Sequence, residues 1–154
     1  MRVLYFDPCE QDGVEFSCLF TSLQSQRKIS VHDRLIVASD TQTLVEKVRK
    51  NRGFEVGFVD FYVADEFQKS SVVAVLRLRQ EGFKSEIYGY GFSEQRTCTP
   101  INDSINELLQ EKLIASEIMY KETSQLQPRV ESILERYSRA VPFTTKSRIM
   151  HLVQ

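Results

Sequence analysis

The chain is 154 residues long, enough for one hydrophobic core and too short for two ordinary domains side by side. With 42% apolar and 27% charged residues but only 6 glycines and 4 prolines, the composition excludes collagen-like and proline-rich disordered chains. Twenty lysines and arginines against 21 aspartates and glutamates leave a net charge of -1, which excludes a global positive field, so direct nucleic-acid binding is not expected.

The first apolar run, residues 2–6, is β-rich and ends at Asp7. Val14, Leu19, Phe20 and Leu23 follow at helical spacing and predict a helix over 14–23. Residues 35–38 predict a second strand. Asp40 then stands where an N-cap would accept a free N–H from a helix over 41–50, whose Leu44, Val45 and Val48 share one face. Residues 56–60 form the third predicted strand, ending on Asp60. Val72, Val73, Leu76 and Leu78 predict a third helix stopped at Gly82. Residues 86–90 are the fourth strand, ending at Tyr90, and Ile105, Leu108, Leu109 and Leu113 mark a fourth helix entered from Asn102-Asp103-Ser104. Residues 114–120 predict a fifth strand with Lys121 just beyond it. Val130, Ile133, Leu134 and Tyr137 predict a fifth helix with those four side chains buried. Strands and helices in alternation specify an α/β fold, a doubly wound five-stranded parallel sheet over residues 1–138, with 139–154 as a C-terminal tail or linker.

No apolar run approaches the roughly 18 residues that cross a bilayer, and the N-terminal MRVLYFDPCEQ meets an acid before a signal-peptide core can form, so a cytoplasmic protein without membrane contact is expected. Cys9, Cys18 and Cys98 form no CxxC pair; reduced, buried, structural thiols are the expectation. His32 and His151 lack the partner spacing of a metal site and are expected to face solvent. There is no glycine-rich phosphate loop and no defensible Ser-His-Asp or Cys-His arrangement, so no enzyme is predicted.

In an open parallel sheet, functional side chains gather beyond the carboxyl ends of the strands. Asp7, Asp60, Tyr90 and Lys121 occupy such positions. The segments that carry them, VLYFD-P, GFVDFYVAD and IMYKE, resemble the receiver domain of two-component response regulators, which has the flavodoxin-like fold with strand order 2-1-3-4-5. The resemblance implies that Asp60 matches the phospho-acceptor and Lys121 the lysine that contacts the phosphoryl group. Asp7, Asp60 and the backbone carbonyl of Tyr62 would then face a Mg²⁺ ion, and Tyr90 lies near the position of the switch hydroxyl. A carboxylate attacks phosphorus only when its charge and that of the phosphate are neutralised, which is the physical sense of that pattern.

Departures from the pattern are as specific as the matches. Pro8 stands where the family has its second acid, the direct metal ligand, with Glu10 two residues on. Tyr90 replaces a small hydroxyl residue, Ser93 is displaced, Ile118 takes the place of the switch aromatic, and Lys121 is followed by Glu122 instead of proline. Residues 95–100 lengthen the connection after the fourth strand. The implied function is a degenerate, or pseudo-, receiver: a regulatory module working through contacts with a signalling partner, a histidine kinase or a second copy, with phosphorylation weakened or lost. The alternative is a working receiver phosphorylated on Asp60. In the family the face of the fourth helix, fifth strand and fifth helix mediates docking, which places 108–112 and 129–136 on it.

Overall fold

Local patterning turns each apolar run into a strand and each amphipathic run into a helix, and the alternation folds into one sheet. The computed structural model describes residues 1–61, 65–92, 103–117, 119–120 and 126–139. In chain order the elements are β1 (Arg2–Phe6), α1 (Glu10–Ser25), β2 (Arg34–Ala38), α2 (Thr41–Lys50), β3 (Val56–Asp60), α3 (Asp65–Gln80), β4 (Glu86–Phe92), α4 (Asp103–Gln110), β5 (Met119–Tyr120) and α5 (Leu126–Arg139). The sheet runs β2-β1-β3-β4-β5 and every pairing is parallel.

Two cores flank the sheet, as strand alternation requires. Leu4, Phe6, Val59 and Ile87 pack with Leu44 of α2, Ala74, Val75 and Leu78 of α3, and Ile105 and Leu108 of α4. Val3, Tyr5, Val56, Phe58 and Tyr88 pack on the other side with Phe16, Phe20 and Leu23 of α1 and with Val130, Ile133 and Leu134 of α5. Central β3 is buried along its whole length, which is why its sequence is a near-continuous apolar run ending in a single acid.

The helix signals take their expected roles. Asp40 caps α2: its Oδ1 accepts the Thr43 N–H at 2.7 Å and its Oδ2 the Thr43 hydroxyl at 2.7 Å. Gly82 has φ +85°, a left-handed conformation that a side chain would strain, and α3 stops there. Val130, Ile133 and Leu134 are buried and Tyr137 is half-buried.

Several details differ from the sequence expectation. Among the described residues the fifth strand is Met119–Tyr120, and 114–117, expected to belong to it, do not. After α4 the chain turns through Lys112, φ +57°, then buries Ile114 among the α2, α3 and α4 side chains, and the Ala115 N–H makes one bond to the Ile87 carbonyl at 2.7 Å. The β-rich composition there serves burial rather than a ladder. Helix α1 begins four residues before Val14, and Val14 is 62% exposed because the buried stripe is Phe16, Phe20 and Leu23. On α3 the stripe is Ser71, Ala74, Val75 and Leu78, which leaves Val73 and Leu76 at 45% and 41% exposure. Cys9 and Cys18 are free thiols, but Cys9 is half-buried and Cys18 exposed, on a helix face away from both cores. His32 is exposed as expected. Cys98, His151 and the 139–154 tail, apart from Arg139 at the end of α5, lie outside the described residues.

At the amino-terminal edge of the sheet, Arg79 ties two loops to α3, the α3–β4 and α4–β5 connections. Its guanidinium donates to the carbonyls of Phe83 (2.7 Å), Ser85 (2.9 Å) and Leu113 (2.8 Å). No helix among the described residues is long and apolar enough to cross a membrane.

Candidate functional site

At the opposite edge, the carboxyl ends of β1 and β3 deliver two acids into the interior. Asp7 follows the last residue of β1 and extends its ladder by one bond, from its N–H to the Ala38 carbonyl at 3.0 Å. Its Oδ1 accepts the N–H of Cys9, the N-cap of α1, at 2.7 Å, so a tight local turn fixes the carboxylate at the start of that helix. Asp60 ends β3, and its backbone carbonyl accepts the Ser71 hydroxyl of α3 at 2.6 Å. Asp7 is 1% and Asp60 0% exposed.

A third side chain joins them. The Tyr5 hydroxyl lies 3.2 Å from Asp7 Oδ2 and 3.1 Å from Asp60 Oδ2, and all three groups are buried. Strand geometry explains the arrangement: Tyr5 is two residues before Asp7, hence on the same face of β1, and the register pairs Tyr5 with Phe58, two residues before Asp60. The Tyr5 ring is held by its neighbours, stacked on Phe16 at 4.2 Å between centroids and edge-on to Tyr90 at 5.7 Å, while Phe16 and Tyr90 meet edge-on at 5.7 Å. Burial first, then the negative charges of Asp60 and Asp7, push the Tyr5 phenol far above the ordinary tyrosine range. At neutral pH it is therefore a protonated donor facing two acceptors.

The structure thus brings Asp7, Asp60 and Tyr90 together. Tyr90 pairs with Asp60 in the β3–β4 ladder, and its carbonyl accepts the Phe61 N–H at 2.9 Å, which sets the chain's exit from β3. Glu10 is the first residue of α1. Tyr62, Lys121, Ser93, Ile118, Glu122 and residues 95–100 lie outside the described residues. The residue that sequence reasoning missed is Tyr5. Its signal was available: a tyrosine in a strand flanked by apolar neighbours, two positions before an acid, must find a partner for its hydroxyl once buried.

Mg²⁺ requires near-octahedral oxygen coordination at about 2.1 Å. The described residues do not fit it. They contain no group of three His, Cys, Asp or Glu able to hold a metal, Pro8 offers no side-chain ligand after Asp7, and the Tyr5 hydroxyl, with its single proton, stands within hydrogen-bond distance of both carboxylates.

No protein-family model and no curated protein matches the sequence. Solved structures do. The N-terminal domain of a response regulator/sensory box/GGDEF three-domain protein from Carboxydothermus hydrogenoformans superposes with a TM-score of 0.62 at 11% identity, covering 97% of this chain and 99% of that one. A Francisella response-regulator receiver domain gives 0.57 at 11% identity over 92% and 98%. A structure described as adenylate cyclase from Rhodopirellula baltica gives 0.58 at 14% identity over 97% and 96%. At such identities the likeness establishes the fold: a parallel α/β sheet of the receiver type.

Proposed function

We propose that this chain is a signal-transduction regulatory module built on the receiver fold, that it acts through protein–protein contacts rather than as an enzyme, and that phosphorylation of Asp60 is weakened or lost. The observation that supports this reading is the acid pair itself. Asp7 and Asp60 converge in the interior at the carboxyl edge, yet the position after Asp7 is Pro8, so a metal that would neutralise the acceptor and the incoming phosphoryl group lacks a direct ligand. Without that neutralisation, the like charges of the two carboxylates and the phosphoryl donor oppose transfer.

The output is a surface, and we place it on α4 and α5. Of the stretch 108–112, Gln110, Glu111 and Lys112 are exposed while Leu108 packs inward; of 129–136, Arg129, Ser132 and Arg136 are exposed while Val130, Ile133 and Leu134 face the core. A mixed-charge rim of this kind suits a signalling protein, a histidine kinase or a second copy of the chain. In this reading the protein works in the cytoplasm.

Incubation with acetyl phosphate and Mg²⁺, followed by intact mass spectrometry, tests the proposal. The expected outcome is unmodified protein. A phosphoryl adduct present in the wild type and absent from Asp60→Asn would overturn the reading and establish a working receiver, with Lys121 and the Tyr62 carbonyl in the roles the resemblance implies.

A further inference from the structure

We infer that Tyr5 is an internal substitute for the divalent cation: its hydroxyl, set between Asp7 Oδ2 and Asp60 Oδ2, holds the two buried carboxylates in place and closes the gap to metal. The inference deepens the reading of a module with lost phosphorylation and rests on it.

Geometry carries the argument. Two carboxylates at 1% and 0% exposure repel each other in a medium that screens poorly, so groups that face them must be donors or cations. A phenol supplies a proton donor without adding charge. A cation bridging both oxygens would sit about 2.1 Å from each, whereas the hydroxyl oxygen lies 3.1 and 3.2 Å from them and bridges the pair by hydrogen bonding. In this inference the bridging hydroxyl takes the place of the ion.

The hydroxyl cannot swing aside. Its ring is stacked on Phe16 and met edge-on by Tyr90, and its backbone is paired on both sides, with Val37 of β2 and Phe58 of β3. An off-rotamer ring would have to displace two aromatic neighbours in a close-packed core. Tyr5 is thus a positioning residue whose contacts span β1, β3, β4 and α1, and it couples the acid pair to the sheet without any ligand.

The test uses the full chain and Mn²⁺ as the probe, an ion that also prefers oxygen ligands, followed by electron paramagnetic resonance and by the melting temperature. Wild type is expected to bind no Mn²⁺ at the acid pair and to melt at the same temperature with and without it. Tyr5→Phe is expected to gain Mn²⁺ binding, at an affinity at least roughly tenfold above the detection limit that bounds the wild type, as loss of the hydroxyl lets both charges reach the ion, to melt higher with Mn²⁺, and to lose both effects when Asp60→Asn is added.

A folded Tyr5→Phe chain that gains no Mn²⁺ binding, or a wild type that binds equally well, overturns the inference. Should Tyr5→Phe not fold, Pro8→Asp decides: with Tyr5 intact the added acid is expected to recruit no Mn²⁺, and recruitment would overturn the inference. The two failures are separable, because phosphoryl transfer to Asp60 in the wild type defeats the functional reading, whereas a folded Tyr5→Phe chain without Mn²⁺ binding defeats only the role of Tyr5.

Discussion

The Tyr5 hydroxyl on β1 reaches across the sheet to within 3.1 Å of the Asp60 carboxylate on β3, joining residues 55 positions apart in the sequence. Removing it takes one hydrogen-bond donor away from the buried carboxylate pair, a loss that costs about 1–3 kcal/mol. Tyr5→Phe should therefore lower the denaturation midpoint with little change in its slope. In a double-mutant cycle, the cost of Tyr5→Phe should shrink by about 1 kcal/mol when Asp60 is already Asn, because the coupled pair then carries less charge. Equal costs in the two backgrounds would show that the contact contributes no coupling.

Arg79 is expected to be the most sensitive cation of the amino-terminal edge, since one guanidinium satisfies the carbonyls of Phe83, Ser85 and Leu113. Arg79→Met keeps the stem and loses the donors, at about 2 kcal/mol. Arg79→Lys should recover little, because an ammonium cannot reproduce the planar fork. Chemical denaturation of the two variants checks the order; a lysine variant as stable as wild type would contradict it.

Tyr88 gives the protein an alkaline limit. Burial and its hydrogen bond to Tyr137 push its phenol up to about 12, against the partly offsetting charge of Arg136, whose guanidinium donates to the Tyr88 oxygen at 2.7 Å. A folded-state value raised above the unfolded one, about 10, means that the unfolded chain releases its proton first as pH rises. The contribution of Tyr88 is thus fully present below pH 10 and lost between pH 10 and about 12. Stability measured across that window should fall less steeply in Tyr88→Phe than in wild type.

Asp40 sets an acid-side contribution. Its carboxyl is held below the usual range by the backbone and side-chain hydrogen bonds from Thr43. A depressed folded value contributes above the unfolded value, about 3.9, and is lost as pH falls through the folded one. Asp40→Ala should cost about 1 kcal/mol at neutral pH, the usual loss of an N-cap, and nothing in strong acid. Helix α2 should show the loss as faster amide exchange in its first turn.

Where a feature depends on neighbours in the chain, the sequence alone determined it. Helix α2 matches its predicted bounds, Thr41–Lys50, because cap, apolar face and polar face all lie within about a dozen residues. The strand cores, the Gly82 stop and the buried face of α5 were legible for the same reason, and so were Asp7 and Asp60 at strand ends, whereas β4 runs on to Phe92 and leaves Tyr90 two residues inside its end, because its ladder with β5 continues to Phe92. Only the tertiary structure decided what depends on register across the sheet. Residues 114–120 have the composition of a strand, but pairing with β4 extends to Met119 and Tyr120 while Ile114 is drawn into the helix-covered core. Val14 has the spacing of a core residue yet lies outside, since the orientation of α1 is set by Phe16, Phe20 and Leu23 against β1 and β3. The place of Tyr5 between two acids follows from the parallel pairing of Tyr5 with Phe58, which no local pattern encodes: alternation says which face a side chain takes, and only the packing of β1 against β3 says which carboxylate it meets.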